Sequence, residues 1–385
     1  MGKYPLKDKT AIVGIGETEF SGNAGRSEER LAVEASWKAI EDAGLKPEDI
    51  DGMVKLDQDV TREVVLASDL GIKNIRFLAE PWWGGGQAMA PIGIAAMAIA
   101  TGQATNVLCW RAMCGRSGMW RYGQQVQAPA ESDAAFAMPY GIMTPGQCFA
   151  MIANRYFHKY NADPLYLAAV KIAFSKHAAR NPRAQIQRVL TMGDYLASRF
   201  IAWPLRMMDF CLETDGGVAC VLTSAERARD LKQRPVYISS FAQASGPKGA
   251  AWMIHPWRDD ITITEAAYLA DDLFSRAEMS RDDIDVAQIY DAFTPMPLLV
   301  LEDLGFCKRG EAGPFVAEGN LDLGGKLPTN TSGGLLCEGY MHGMNQLVEG
   351  VRQLRGTSTS QVENAETCLV TSGVGFPTAA LILRR

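Results

Sequence analysis

Two glycine-rich stretches near the carboxyl end, PTNTSGG at residues 328–334 and GYMHG at residues 339–343, decide how the rest of the chain is interpreted. A third, WWGGGQ at residues 82–87, lies in the first half, and YDAFT at residues 290–294 comes between them. Glycine has no side chain that could act as a nucleophile. Glycines before a helix do present backbone N–H groups that bind an oxygen carrying negative charge. These stretches therefore predict a site for such an oxygen.

The chain repeats one phrase of secondary structure. An amphipathic helix at residues 32–44, which Ser27 is placed to cap, leads into LKPEDIDGMV at residues 45–54. A similar helix at residues 264–278 leads into MSRDDIDVA at residues 279–287. In both copies a helix is followed by a short turn, an acidic pair, Ile-Asp and a strand.

A second phrase recurs in the same order. The glycines at residues 84–86 precede an Ala-rich helix and a strand at residues 106–109. The glycines at residues 333–334 precede a helix and a strand at residues 367–371. The recurrence favours a duplicated chain over two unrelated α/β domains of similar composition.

The first of these helices carries no charged residue between Ala88 and Ala100. A helix that is apolar on every face is buried on every face. The pattern therefore predicts an α/β fold of five layers, αβαβα, in which helices lie between two sheets.

Two halves are predicted, at residues 1–234 and 235–385, with the polar segment at residues 232–235 as the join. The region from about residue 115 to residue 203 holds most of the aromatic and basic residues of the first half. We interpret it as an inserted cap.

Composition excludes several classes of protein. The 385 residues are 47% hydrophobic and 21% charged, with a net charge of −6, which is typical of a soluble enzyme and gives no support to nucleic-acid binding. The amino terminus lacks the apolar run of a signal peptide, and no apolar run is long enough to span a bilayer, so a cytoplasmic protein is expected. The eight cysteines include no CxxC pair and the four histidines are far apart, so no zinc site is expected in this chain.

On these stretches the chain resembles the thiolase superfamily, and within it the branch of sterol-carrier-protein thiolases and lipid-transfer-protein aldolases. The resemblance covers nearly the whole chain. It includes AIVGIGET at residues 11–18, KHAARNP at residues 176–182, DGG at residues 215–217 and TSGVG at residues 371–375.

Four departures from the family pattern bear on activity. Gly85 stands at the position of the nucleophilic cysteine, and Ser372 at that of the second cysteine. Tyr290 replaces an asparagine or histidine, and Tyr340 replaces the histidine of a Gly-His-Pro phrase, whose proline is Met341. These replacements argue against a thiolase and resemble the aldolases that shorten steroid side chains as coenzyme A thioesters.

The resemblance implies a retro-aldol lyase that cleaves a β-hydroxyacyl-CoA, with a steroid-type side chain, into a ketone or aldehyde and a shorter acyl-CoA. Two alternatives stay open: an atypical thiolase or acyltransferase with another nucleophile, and a non-catalytic subunit that binds acyl-CoA or lipid. The acyl-CoA is the substrate, and no cofactor held by this chain is expected.

The resemblance also implies the site. Tyr290 and Tyr340 divide the proton transfers, with His342 as a neighbouring cation. The thioester oxygen is expected to lie against Gly85, Gly86, Ser372, Gly373 and Gly375. For the phosphates of coenzyme A the candidates are His177 and Arg199.

Partners follow from the same branch. A homodimer is expected, because proteins of this fold usually pair through a sheet edge and bury the region of the first glycine stretch. The related aldolases work with a small partner that combines an OB-fold and a zinc ribbon, and such a partner is expected here.

Overall fold

The structure is a computed structural model that describes residues 4–82, 84–118, 134–247, 258–375 and 377–385. These residues form eleven strands, numbered in chain order: β1 Thr10–Glu17, β2 Gly52–Lys55, β3 Phe77–Ala79, β4 Asn106–Cys114, β5 Phe200–Ala202, β6 Leu205–Arg206, β7 Asp215–Ser224, β8 Val236–Ala244, β9 Val286–Gln288, β10 Thr367–Thr371 and β11 Thr378–Arg384.

The described residues also form thirteen α-helices. They are α1 Glu28–Ala43, α2 Glu63–Leu70, α3 Ala90–Ala100, α4 Ala134–Ala137, α5 Pro145–Tyr160, α6 Tyr166–Ala178, α7 Met192–Ala197, α8 Ala225–Ala228, α9 Ala266–Ala277, α10 Pro295–Asp303, α11 Ala312–Ala317, α12 Gly334–Cys337 and α13 Met344–Arg355. Short 3₁₀ turns, one of them at Gly84–Gln87, link several of these elements.

Nine strands form one mixed sheet in the order β3-β2-β4-β7-β1-β8-β11-β10-β9, and β5 and β6 form a separate hairpin. The order β2-β4-β7-β1 in the first half matches the order β9-β10-β11-β8 in the second half, read in the opposite direction. In each half, parallel pairing (β2 with β4, β9 with β10) is followed by two antiparallel pairings. A parallel bridge from Ala287 to Thr329 takes the place that β3 has in the first half. The predicted duplication is confirmed in this topology.

The halves meet where β1 pairs with β8 at only two residue pairs, Ala11 with Tyr237 and Ile12 with Val236. Helices α3 and α13 each pack on strands of both halves, whereas α1 packs on strands of the first half and α9 on strands of the second. The central helices therefore lie between the two sheet halves and the other two lie outside, as the five-layer prediction requires.

The sequence explains why these helices form where they do. Ser27 caps α1 by accepting a hydrogen bond from the N–H of Arg30, and Gly44 ends the helix in the left-handed conformation with φ +73°. Eight of the eleven residues of α3 are buried, in agreement with the absence of charge along it. The segment between β4 and β7 holds α4 to α7 and the β5–β6 hairpin. The division into halves at residue 234 stays a prediction.

Helices long and apolar enough to cross a membrane are absent from the described ranges. The fold brings four loops together between the halves: the Gly84–Gln87 turn before α3, the residues after β9, the loop before α13 and the residues after β10. The functional site lies where these four loops meet.

Candidate active site

Two buried tyrosines form the centre of the site. The hydroxyl oxygens of Tyr290 and Tyr340 lie 2.7 Å apart and are joined by a hydrogen bond. Tyr290 follows β9 and Tyr340 lies between α12 and α13, and their exposed fractions are 3% and 5%. The two rings meet edge to face with centroids 6.2 Å apart. The structure thus brings together the two tyrosines that the sequence singled out.

Three glycines enclose the Tyr290 ring. A Cβ atom added at Gly85 would lie 2.1 Å from the Tyr290 hydroxyl oxygen, a separation that no side chain tolerates. A Cβ atom at Gly373 or Gly343 would lie 3.0 Å or 3.1 Å from the ring. Glycine at position 85 is therefore a steric requirement of Tyr290, and the hydroxyl of Tyr290 occupies the place of the missing side chain.

The surroundings of Tyr290 keep its phenol protonated. Burial, and next the hydroxyl of Tyr340, raise the pKa of Tyr290 well above its usual value. Its backbone N–H donates to Thr371 Oγ1 at 3.0 Å, which fixes the start of the segment that carries the ring. Tyr290 is therefore a neutral phenol, and its role in proton transfer stays a prediction.

His342 lies beside Tyr340, with ring centroids 4.8 Å apart. Arg111 on β4 donates from Nε to His342 Nδ1 at 2.9 Å. Burial, followed by the charge of Arg111, holds the pKa of His342 well below its usual value, so the imidazole is neutral. The expectation that His342 supplies a positive charge was therefore wrong in this respect, and the cation beside the tyrosines is Arg111.

Arg111 was missed at the sequence level. Its guanidinium pairs with Asp59, whose Oδ1 lies 2.9 Å from Nη1, and the two side chains are only 4% and 1% exposed. One signal was present: the strand NVLCWRAMC is buried along its whole length and contains a single charge. A charge at a fully buried strand position requires a partner and indicates a specific role.

The predicted oxygen-binding groups are partly engaged within the protein. The N–H of Gly373 donates to the carbonyl oxygen of Gly85 at 2.9 Å, and the N–H of Gly375 donates to Glu265 Oε2 at 2.7 Å. Ser372 Oγ accepts from the N–H of Met89 at 2.9 Å, at the start of α3. Gly86 is buried in the turn before α3. These residues line the junction of the halves, and their role toward a substrate stays a prediction.

The two residues predicted to hold coenzyme A differ in their exposure to solvent. His177 is buried, its Nδ1 lies 3.2 Å from the carbonyl oxygen of Asn330, and burial lowers its pKa. Arg199 is exposed just before β5. The described contacts of His177 and Arg199 give no support to a common site for coenzyme A, and their binding role stays a prediction.

Asp291, next to Tyr290, is a buried carboxylate with several donors. It accepts from the N–H groups of Leu335 and Leu336 at 2.8 Å and 3.2 Å and from Gln346 Nε2 at 3.0 Å. Burial outweighs these hydrogen bonds and raises the pKa of Asp291 to about 7. Asp291 thus caps the start of α12 and organises the loop that leads to Tyr340.

Within the described residues, groups of three or more His, Cys, Asp or Glu side chains that could hold a metal ion do not occur. All eight cysteines are free of disulfides. Burial raises the pKa of the Cys337 thiol to about 11, which keeps it as the weakly nucleophilic thiol.

The chain is similar to several known proteins. Residues 251–385 match the family model described as thiolase C-terminal domain-like. The chain is 47% identical, over 98% of its length and all of the relative, to 17-hydroxy-3-oxo-4-pregnene-20-carboxyl-CoA lyase of Mycobacterium tuberculosis. It is 46% identical, over 98% of both chains, to a steroid side-chain-cleaving aldolase of Thermomonospora curvata.

Solved structures lead to the same group. The structure described as an Ltp2-ChsH2(DUF35) aldolase superposes with a TM-score of 0.94 at 45% identity and covers 98% of both chains. Human mitochondrial 3-ketoacyl-CoA thiolase, at 14% identity and a TM-score of 0.70 over 98% of this chain, shares the fold. The fold and the site define a thiolase-like protein without the thiolase nucleophile. The chain belongs to the thiolase superfamily, in the branch that contains the steroid side-chain-cleaving aldolases.

Proposed function

We propose that this chain is an acyl-CoA aldolase that cleaves a β-hydroxyacyl-CoA, with a steroid-type side chain, into a ketone or aldehyde and a shorter acyl-CoA. The observation that carries the proposal is the 2.7 Å contact between the Tyr290 and Tyr340 hydroxyls, of which the Tyr290 hydroxyl leaves no room for a nucleophilic side chain at position 85. The relatives named above are lyases and aldolases, which supports the same reaction.

A retro-aldol cleavage moves one proton. A base takes the proton of the β-hydroxyl, the Cα–Cβ bond breaks as the carbonyl forms, and the electron pair passes to Cα and the thioester as an enolate. Protonation at Cα then completes the shorter acyl-CoA. Acid and base catalysis of this kind contributes roughly 10²–10⁴-fold to the rate.

The tyrosines have different surroundings, which suggests their roles. Burial lowers the pKa of Arg111, and Asp59 most strongly, then Glu28 and Tyr340, raise it above its usual value, so the guanidinium charge acts on the Tyr340 hydroxyl. Tyr290 is held as the phenol. We infer that Tyr340 accepts the proton of the β-hydroxyl and that Tyr290 donates a proton to Cα. Their direct hydrogen bond then lets the proton pass from one tyrosine to the other and restores both.

The enolate oxygen needs hydrogen-bond donors. Because the N–H groups of Gly373 and Gly375 donate within the protein, the better candidates are the N–H of Gly86, in the first turn before α3, and the imidazole of His342. His177 and Arg199 are retained as proposed contacts for the coenzyme A phosphates.

Two partners belong to the proposal. The edge strand β3 carries Leu78, which is 49% exposed, and Trp82, which is 63% exposed, follows three residues after its end. An apolar, unpaired strand edge favours pairing with a second copy of the chain. A small OB-fold and zinc-ribbon partner is proposed because the superposed aldolase is described with ChsH2(DUF35).

The test is an assay of the chain recovered with its native partners, using a β-hydroxyacyl-CoA of the steroid side-chain type. Release of a ketone or aldehyde together with the shorter acyl-CoA supports the aldolase. Acyl exchange with free coenzyme A, or a covalent acyl adduct on the chain, indicates an acyltransferase instead. Tight binding of the acyl-CoA without turnover, partner present, indicates a binding subunit.

A further inference from the structure

We propose that Arg111 is a positioning residue for the reaction: its Nε–H holds His342 as the neutral tautomer protonated at Nε2, which turns that N–H toward the substrate beside the tyrosine pair. The catalytic role of this arrangement rests on the proposed aldolase function. The arrangement of the imidazole itself is independent of that function.

The first step is the direction of the hydrogen bond. Guanidinium is always protonated and has no acceptor, so its Nε–H can only donate. The 2.9 Å contact with His342 Nδ1 therefore requires a lone pair on Nδ1. A neutral imidazole with an unprotonated Nδ1 carries its proton on Nε2.

The second step is that Arg111 is itself fixed. Its Nη1 donates to Asp59 Oδ1 at 2.9 Å and to the carbonyl oxygen of Ala112 at 2.7 Å. Asp59 Oδ1 also accepts from the N–H of Ala112 at 2.8 Å, so the carboxylate is bound to the strand that carries the arginine. With one end of the guanidinium held by the loop before α2 and by β4, its Nε–H has a single direction.

The third step concerns the charges around the imidazole. Arg111 faces His342 from β4, and Tyr340 faces it from its own loop. Asp59 and Glu28 act on Arg111, and Lys55 acts on Asp59. A second proton on His342 would meet the Arg111 charge at hydrogen-bond distance, so the doubly protonated form is disfavoured.

The consequence is a donor of fixed direction. A buried charge pair is costly to desolvate and contributes little net stability, so its value here is to orient another group. Within the described residues, His342 Nε2 makes no hydrogen bond to the protein, and the side chain is 8% exposed. The Nε2–H is thus available to a substrate oxygen next to Tyr340.

The experiment is ¹⁵N NMR of histidine side chains in the full-length protein, with His342→Gln used to assign the signals among four histidines. In the wild type we expect a pyridine-like Nδ1 and a pyrrole-like Nε2 for His342, unchanged between about pH 5 and pH 8. In Arg111→Met we expect a mixture of tautomers and titration of His342 within that range. Arg111→Lys retains a charged donor and should restore part of the wild-type pattern.

Activity gives the second measurement. We expect Arg111→Met to lower kcat by about 10- to 100-fold with a smaller change in KM, and to add an acid limb to the pH profile of kcat. Asp59→Asn serves as the second variant if Arg111→Met does not fold, and should loosen the tautomer preference while leaving Arg111 in place. Arg384→Met is the matched control, since Arg384 also pairs with an aspartate, Asp8, at 2.8 Å.

Three outcomes would overturn the inference: a wild-type His342 protonated at Nδ1, a folded Arg111→Met or Asp59→Asn protein with unchanged His342 signals, or full activity after the tautomer is lost. The NMR result stands whether or not the chain is an aldolase. Absence of aldolase activity in a wild type with the expected tautomer counts against the proposed function alone.

Discussion

Tyr290 and Asp291 are consecutive residues, and each fills the space that a side chain would need at a glycine, one glycine in each half of the molecule. The Tyr290 hydroxyl oxygen lies 2.1 Å from where a Cβ atom of Gly85 would be, in the turn before α3. Asp291 Oδ2 lies 2.4 Å from where a Cβ atom of Gly334 would be, at the start of α12. Both halves therefore use a glycine to admit a polar group of the same segment.

The two polar groups differ in their hydrogen-bond partners. Asp291 accepts hydrogen bonds from two backbone N–H groups and one amide, so its capacity is used within the protein. Tyr290 contacts one other hydroxyl, that of Tyr340. A group whose partners are all structural stabilises the fold, whereas a group whose partner is another proton donor and acceptor can react. We therefore predict that substitutions at Gly85, the first space, lower turnover, and that substitutions at Gly334, the second space, lower stability.

The largest effect is expected from removing a reactive hydroxyl. Tyr290→Phe or Tyr340→Phe should lower kcat by roughly 10²–10⁴-fold, since each hydroxyl transfers a proton in the proposed reaction. Steady-state kinetics with the β-hydroxyacyl-CoA measures this. Tyr156→Phe is the matched control, because Tyr156 is also buried and donates to Glu302 away from the site. Near-native turnover in both site variants would remove the tyrosines from the mechanism.

A methyl group at the first space should act on turnover. Gly85→Ala places Cβ against the Tyr290 hydroxyl and displaces it, and a shift of about 1 Å at a reacting group costs on the order of 100-fold in rate. Kinetics and thermal unfolding are measured on the same sample. A retained kcat, or a loss of kcat that unfolded protein explains completely, would contradict the prediction that Gly85→Ala acts on turnover.

A methyl group at the second space should act on stability. Gly334→Ala must adopt φ +62° and contact the Asp291 carboxylate, which should lower the free energy of unfolding by about 2–3 kcal/mol. Urea unfolding gives the free energy, and kinetics of the folded protein should stay within a few-fold of the wild type. A loss of kcat as large as that of Gly85→Ala, at unchanged stability, would contradict the distinction.

The last prediction concerns the dependence of stability on pH. The pKa of Asp291 is raised to about 7 in the folded protein, above its value of about 3.9 when unfolded, so the stability it contributes is present at low pH and is lost as pH rises through 7. Asp291→Asn should remove a slope of at most about 1.4 kcal/mol per pH unit between about pH 4 and pH 7.

The measurement for this last variant is the difference in unfolding free energy between wild type and Asp291→Asn across that range. The difference isolates Asp291 from other buried carboxyls, such as Asp303, whose pKa is also raised by burial, to about 6. Parallel curves for the two proteins would show that Asp291 is ionised in the folded state throughout.

The layered fold was predictable because its signals are local. The apolar faces of α3 and the repeated turn before β2 and β9 lie within short windows, and both copies share them. The two-residue junction between β1 and β8 was not predictable, since strand pairing between distant segments depends on packing of the whole chain. The inserted helices were expected only as a region without sheet.

The site residues that stand at motif positions of the family were predictable from the sequence, and the other site residues were not. Tyr290 and Tyr340 stand at positions where the family has catalytic polar groups, so both were expected in the site, whereas their direct hydrogen bond was not predicted. Arg111 depends on Asp59 and His342, which are 52 and 231 residues away in sequence, and no local pattern connects them. The directions of the Gly373 and Gly375 N–H groups depend on loop geometry, which motifs alone do not determine.

The close approach of Gly85 and Tyr290 also bears on how such a protein can change its chemistry. A cysteine restored at position 85 would set its Cβ 2.1 Å from the Tyr290 hydroxyl, so the nucleophile and this tyrosine exclude each other. A side chain at position 85 therefore requires that Tyr290 be replaced or displaced. Of the four departures from the family pattern, Gly85 and Tyr290 are thus coupled by sterics, and a change toward the acyl-transfer pattern has to alter both positions.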